Sequence, residues 1–264
     1  MPKLANLPLA ILVLSTLGAC ATSGDGSSEA QAALTGAPEG AVIDRNARQR
    51  VAREDMLTQM AFWAAEYQTF PNDLEAAQKF AEALRRGGRT DRAVQIAGEA
   101  LGRFPQDQQL LHTYGMAQLA SGRPQDALRP LAMVAAQDAR NWRVRSALGA
   151  ALDQLGRYPE ARAAYQEALA IEPNQPGVMT NLGVSHLMAG EPQEAEAVLR
   201  QTIALPNAPP HARQNLAIAL ALQGKFDEAE QIERIDLPPA QAAQNMQYLR
   251  GLLRDPRSWR DVGG

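Results

Sequence analysis

Aromatic residues and cysteine are scarce in this chain, and both shortages restrict what it can be. Phenylalanine, tryptophan and tyrosine together make up 5% of the 264 residues. Runs of β-branched residues are scarce too, which argues against a β-sandwich, a β-barrel and a doubly wound sheet. The single cysteine, Cys20, excludes an internal disulfide and a cysteine-based zinc site. Its position is more informative than its number.

The net charge is also low, and helix-forming residues dominate the composition. The formal net charge of −3 argues against a nucleic-acid-binding surface. Alanine and leucine are abundant, with 49 and 31 residues, and both are strong helix formers. The composition therefore predicts an all-α protein.

The first 19 residues have the pattern of a secretory signal peptide. Lys3 precedes a mostly apolar run at residues 4–17, which is shorter than the roughly 20 residues needed to cross a bilayer. The run ends in Leu-Gly-Ala-Cys at residues 17–20, which resembles the bacterial lipobox. The resemblance implies cleavage after Ala19, a diacylglyceryl thioether on Cys20 and acylation of the new amino group. The alternative is an ordinary signal peptide cut near Ala19 or Ala21.

The next segment predicts a tether between a lipid anchor and a folded part. Residues 20–40 are rich in alanine, serine, glycine and threonine and lack a hydrophobic period. Ala21 lies where an aspartate would favour retention in the inner membrane, so the lipobox resemblance implies the outer membrane, on its periplasmic face. A basic stretch follows, which is either a solvated helix face or a contact with lipid headgroups; its members are Arg45, Arg48, Arg50 and Arg53.

Small residues recur every 34 positions in three registers. The registers contain, respectively, Gly115, Gly149 and Gly183, then Gly88, Gly122, Gly156, Gly190 and Gly224, and finally Ala93, Ala127, Ala161, Ala195 and Ala229. This period resembles the tetratricopeptide repeat, in which each unit is a pair of antiparallel helices. The first register would lie where the two helices cross closely, and the second would lie in the turn between them. Tyr165 and Ala168 are expected to pack against the next unit.

The repeat organises most of the chain. The resemblance implies an all-α fold: a right-handed superhelical solenoid of about five tetratricopeptide helix pairs with N- and C-terminal capping helices. The units begin at Leu74, Gln108, Trp142, Pro176 and Pro210. The predicted divisions are a signal peptide, a tether, an N-terminal helix, the repeats, and a C-terminal capping helix with a tail, at residues 1–19, 20–40, 41–73, 74–243 and 244–264. From Ala240 to Leu253 the apolar residues recur at helical spacing, which predicts the C-terminal capping helix.

No constellation for catalysis is present in the sequence, so we expect no enzyme activity, no cofactor and no small-molecule substrate. His112, His186 and His211 are not at the spacing of metal ligands. Neither a phosphate-binding loop nor a nucleophile elbow occurs. A hydrolase activity that depended on a groove carboxylate such as Asp153 would contradict this expectation.

In tetratricopeptide proteins the first helix of each unit lines a concave surface that binds partners. The resemblance implies an apolar partner-binding groove here, formed by Met116, Leu119, Val184, Leu187, Met188, Ile218 and Leu222. Such a surface suits an apolar or amphipathic helix. Alternatively, the chain's own helix from Ala240 covers part of it.

The C-terminal third of the chain resembles a narrower family. Residues 215–224, 226–230, 236–239 and 248–250 are similar to the TadD-like lipoproteins of the tight-adherence (Tad, Flp) pilus. That resemblance implies an outer-membrane lipoprotein with pilus-machine proteins as partners, a secretin among them. Repeat lipoproteins also serve as adaptors for outer-membrane β-barrel assembly or for cell-wall hydrolases, and this alternative stays open.

The lipid anchor can be tested at one atom. Cys20→Ser removes the sulfur that would accept the diacylglyceryl group, so the variant should stay unprocessed or become soluble. Cells fed a clickable fatty acid should label the wild-type protein and leave the variant unlabelled. A wild-type protein that takes up no label would end the lipoprotein interpretation.

Overall fold

The computed structural model describes residues 42–254, which contain thirteen α-helices and no strand. The predicted signal peptide, Cys20, the tether and the tail from residue 255 lie outside the described residues. The described residues divide into two compact units, 42–134 and 135–254. No helix among them is both long enough and apolar enough to span a membrane. The all-α fold class is confirmed.

The first unit begins with two helices where the sequence predicts a single one. They are α1 (Arg45–Val51) and α2 (Met56–Thr69). Asp55 separates them, because its carboxylate accepts hydrogen bonds from the Leu57 and Thr58 amides and so caps the start of α2. Trp63 of α2 and Val51 of α1 are buried in the same apolar cluster as Phe80.

Helix pairs follow, and each pair begins where a sequence repeat begins. The first unit contains α3 (Leu74–Arg86), α4 (Thr90–Leu101), α5 (Gln108–Ala120) and α6 (Pro124–Gln137), whose last turn belongs to the second unit. The second unit contains α7 (Trp142–Gln154), α8 (Tyr158–Ile171), α9 (Pro176–Met188), α10 (Pro192–Ile203), α11 (Pro210–Leu222), α12 (Phe226–Glu233) and α13 (Pro239–Arg254).

The first helix of each pair starts in one of two ways. Asp73, Asp107 and Asn141 precede α3, α5 and α7, and each side chain accepts a hydrogen bond from an amide in the first turn. Pro176 and Pro210 instead open α9 and α11, where a fixed φ suits the first helical position. Both devices satisfy or remove the amides that a helix start leaves without partners.

The turn inside each pair requires glycine. Gly156 has φ +71°, and the glycines at the same place in the other four pairs have φ between +69° and +79°. The next residue, Arg157, donates its amide to the Leu152 carbonyl at 2.9 Å, a bond typical of the Schellman ending of a helix. The turn predicted for this register is therefore present in all five pairs.

The two helices of a pair approach most closely at the first glycine register. A Cβ atom on Gly149 would lie 2.6 Å from the Tyr165 ring, and one on Gly183 would lie 2.6 Å from Leu199. Gly115 meets Leu131 in the same way at 2.7 Å. Tyr165 therefore packs within its own pair, in addition to contacting Val178 and Leu182 of the next pair as the sequence predicts.

The C-terminal end departs from the regular pattern. Helix α12 has only 8 residues, whereas the second helices of the other pairs have 12 to 14. Helix α13 packs mainly against α12 and also against α11. Its Met246 is 1% exposed and joins the apolar cluster that contains Leu216 and Leu220. It therefore occupies the place that the first helix of a sixth pair would take.

Gly149→Leu tests the close crossing of α7 and α8. The larger side chain must displace the Tyr165 ring, and overpacking of this kind costs about 1–3 kcal/mol or more of unfolding free energy. Hydrogen exchange should show lost protection in α7 and α8 and in the neighbouring α9, because repeat stability is shared between neighbours.

Gly177 supplies the matched control, since it lies in α9 and a Cβ there would meet no atom within 4 Å. Gly177→Leu should leave protection essentially unchanged. Equal protection in the Gly149 variant and the wild type would contradict the helix crossing.

Candidate functional site

The predicted groove residues lie on three first helices, one in the first unit and two in the second. Met116 and Leu119 are half-buried on α5. Val184 and Met188 are half-buried on α9, one helical turn apart on the same face. On α11, the corresponding pair is Ile218 and Leu222. Because these six side chains keep part of their surface in solvent, a partner can reach them.

Leu187 differs from the other predicted groove residues. Its side chain is 2% exposed and lies in a cluster with Leu199, Leu216 and Leu220. The prediction that it faces a partner is therefore wrong, and its role is to pack α9 against α10 and α11. Truncating a buried leucine typically costs about 2–5 kcal/mol, so a change here would report on folding instead of binding.

The two apolar residues of α11 are intermediate cases. Ile218 and Leu222 pack against the same cluster while remaining partly exposed. Val184 and Met188 are also partly exposed, and they lie one helical turn apart on α9. We therefore take the α9 pair as the accessible apolar face.

The basic stretch of the N-terminal segment does not behave as one surface. Arg48 is 5% exposed, and its guanidinium lies within 3.0 Å of carboxylate oxygens of Glu66, Asp73 and Glu75. It also lies over the Trp63 ring, 5.5 Å from its centroid. Neither of the two alternatives drawn from the sequence holds for this residue, because it fastens α1 to α2 and α3.

Asp153, which the sequence suggested as a groove carboxylate, is buried between helices. It is 7% exposed, accepts a hydrogen bond from the Tyr165 hydroxyl at 2.9 Å and another from the Ser185 hydroxyl at 2.6 Å. The three residues come from α7, α8 and α9. They form a polar link between two successive helix pairs.

At the equivalent place one repeat further along the chain, the contact between helices is apolar. The residues 34 positions further along the chain are Leu187, Leu199 and Ala219, which share one buried cluster. Their side chains carry no hydrogen-bonding groups, so nothing there needs a polar partner. The exchange of all three residue types together is a signal that an alignment of the repeats could have shown, although the residues seen singly do not indicate it.

The buried position changes the protonation of this link. Burial raises the pKa of the Asp153 carboxyl, although hydrogen bonds from Ser185 and Tyr165 oppose the shift. Burial also raises the pKa of the Tyr165 hydroxyl, and the nearby carboxylate adds to the effect. The tyrosine therefore stays protonated and donates to Asp153.

A second polar group lies beside it. The His186 Nδ1 and Glu191 Oε2 atoms are 2.7 Å apart, and Arg162 approaches the same carboxylate at 3.3 Å. Elsewhere, burial lowers the pKa of His112, with Arg85 adding to the effect. Within residues 42–254, no group of histidine, cysteine and carboxylate side chains has the arrangement of a metal site.

Single and combined substitutions of the link should differ sharply. Asp153→Leu alone strands two buried hydroxyls, and each unsatisfied group costs about 1–3 kcal/mol. Adding Tyr165→Leu and Ser185→Ala recreates the apolar contact of the next pair, so the triple variant should recover much of the lost stability. Urea denaturation of the single and triple variants measures this coupling; additive losses would contradict it.

The same residue predicts a pH effect. Because the folded-state pKa of Asp153 lies above its usual value of 3.8, its contribution to stability is fullest below that value and is lost as the pH rises through the raised pKa. Asp153→Asn removes the charge and keeps one acceptor oxygen, while its amide nitrogen can donate to the other hydroxyl. It should be at least as stable as the wild type at pH 7, and its advantage should shrink at low pH. A constant difference between the two across this range would contradict the raised pKa.

Comparisons with known proteins agree with this architecture. Two solved structures of MamA resemble the chain. One is of residues 41 to the end of MamA from Desulfovibrio magneticus RS-1; it is 22% identical, with a TM-score of 0.57, and the match covers 61% of this chain and 92% of that chain. The other is 23% identical, with a TM-score of 0.51 and coverage of 60% and 86%. At such identities the likeness concerns the fold.

A tetratricopeptide repeat protein from Parabacteroides merdae ATCC 43184 is 12% identical, with a TM-score of 0.58, and the match covers 78% of this chain and 80% of that one. No curated protein sequence matches the chain. Three family models described as tetratricopeptide repeat match residues 84–152, 143–208 and 180–242, an unbroken stretch from the first helix pair to α13. The chain belongs to the tetratricopeptide repeat family.

Proposed function

We propose that this protein is an outer-membrane-anchored scaffold lipoprotein that assists assembly of a Tad (Flp) pilus, with a secretin as its partner. Tetratricopeptide repeats are protein-binding scaffolds and are typically not catalytic, so protein binding is the general role. The specific role rests on the sequence resemblance to the TadD-like lipoproteins, and the anchor rests on the lipobox pattern that ends at Cys20.

The accessible apolar face of α9 is the observation that carries the proposal. Val184 and Met188 lie four residues apart and leave part of their apolar surface in solvent. Two such side chains on one helical face can hold the apolar side of a partner helix, which presents its own residues at the same spacing. A secretin segment with apolar residues at this spacing would have the matching chemistry.

The C-terminal helix leaves that face available. Helix α13 packs on α12 and α11, and its Asn245 donates a hydrogen bond to Glu233 of α12 at 3.0 Å. Arg250 lies over the Phe226 ring, 4.8 Å from its centroid, and pairs with Asp227 at 3.0 Å. These contacts hold α13 against α12 and α11. The alternative that this helix covers part of the predicted groove therefore concerns α11, which carries Ile218 and Leu222, more than α9.

The residues that carry the TadD-like resemblance lie in this same end of the stack. They belong to α11, α12, α13 and their connections. Arg213 of α11 makes two hydrogen bonds to Asp236, at 2.6 and 2.7 Å, just before α13 begins. Much of the resemblance therefore lies in residues that form the C-terminal end of the repeats. The apolar face of α9 belongs to the preceding helix pair.

Val184→Glu combined with Met188→Glu tests the function. Both side chains are half-buried on the face of α9, so the charges can reach water in the free protein. In a desolvated contact they would cost on the order of several kcal/mol. In the source bacterium, the membrane fraction should keep the lipoprotein but lose secretin multimers and surface pili.

Ala197→Glu combined with Gln201→Glu is the matched control. These residues are exposed, lie four apart on α10 and add the same charge on a second helix. The control variant should assemble secretin and pili normally. If the α9 variant is folded by circular dichroism, is anchored and also assembles both normally, the α9 face is not the working surface.

A further inference from the structure

A charged pocket lies at the start of the first unit, away from the apolar face of α9. It has a volume of about 580 Å³ and lies between α1, α2 and α3. Ile43 and Trp63 contribute apolar surface, and most of the other lining side chains are polar or charged. The volume lies within the roughly 300–1,000 Å³ typical of ligand-binding pockets.

Three cations of this pocket have no partner within the part of the chain that the structure describes. Arg45, Lys79 and Arg86 are exposed and line the pocket. Within residues 42–254, none of their side chains takes part in an ion pair, a hydrogen bond or a stacking contact. Their charges are therefore available to a ligand.

Each carboxylate that lines the pocket is already held by another cation, either Arg48 or Arg85. Arg48 pairs with Asp73 at 3.0 Å and with Glu75 at 2.7 Å. Arg85 makes two hydrogen bonds to Glu82, at 2.8 and 2.9 Å. Helical spacing would let Glu75 pair with Lys79, and Glu82 with Arg86, but the carboxylates are directed to Arg48 and Arg85 instead.

We propose that this pocket binds a short acidic peptide segment of a protein partner. The positive charge without internal partners matches a ligand with several carboxylates, and each exposed cation can pair with one of them. The buried Arg48 fixes α1 against α2 and α3, so the wall that carries Arg45 is held in place before the ligand arrives.

The spacing of the cations favours an extended peptide. Lys79 and Arg86 lie seven residues apart on one face of α3, which is about 10 Å along the helix axis. In an extended chain, side chains that point to the same side recur about every 7 Å. Carboxylates two to four residues apart can therefore reach both cations. This inference does not rest on the proposed role in pilus assembly.

Fluorescence anisotropy of the full-length protein tests the proposal, with a short fluorescein-labelled peptide in which glutamate alternates with glycine. A peptide with glutamine in place of glutamate controls for the charge. Lys79→Gln combined with Arg86→Gln should weaken binding of the glutamate peptide by about tenfold, as expected for two exposed ion pairs. Salt should weaken wild-type binding because it screens exposed charges.

Arg53→Gln combined with Arg89→Gln is the matched control, since both arginines are exposed and neither lines the pocket. This control should change the affinity less than twofold, which is within the effect of overall charge alone. Circular dichroism should show all variants folded, because the substituted side chains are solvent-exposed.

Four results would overturn the proposal. They are no measurable binding of the glutamate peptide, equal binding of the glutamine peptide, an equal loss in the Arg53 and Arg89 control, and a loss of peptide binding when vesicles of anionic phosphatidylglycerol are added. The last would assign the cations to lipid headgroups.

Discussion

The close contact between the two helices of each pair is the constraint on which the rest of the structure depends. At Gly115, Gly149 and Gly183 the first helix lies so near a side chain of the second that a Cβ atom would fall 2.6 to 2.7 Å from it. This approach brings the helices together with little empty space between them. The glycine turn then fixes how the chain reverses, so one spacing of small residues sets both the contact and the connection.

The sequence predicted this framework well because each signal is local. Small residues at a fixed period identify the crossing and the turn, and the first helices begin at the predicted Leu74, Gln108 and the three later starts. The sequence predicted burial less well. Helical spacing indicates the face of the helix on which a residue lies, but it does not indicate which other element covers that face. Leu187 and Arg48 were assigned to surfaces for this reason, although other helices cover both.

Buried polar groups make particular helix contacts specific. Arg48 needs three carboxylates from two other elements, and Asp153 needs hydroxyl groups from α8 and α9. A buried polar group left without its partners is costly, so these helices have few alternative arrangements. The equivalent apolar cluster around Leu187 gains stability from burial, but it tolerates more ways of packing.

The outward positions of the first helices are free of these constraints, and their chemistry varies accordingly. Helix α3 presents Lys79 and Arg86, whereas α9 presents Val184 and Met188 at half-exposed positions. None of these residues is needed for the crossing or the turn. Because the outward positions take no part in the small-residue registers, different pairs can carry charged and apolar surfaces without loss of fold. One repeat architecture can thus recognise partners of different chemistry, and the sequence of the outward positions determines which.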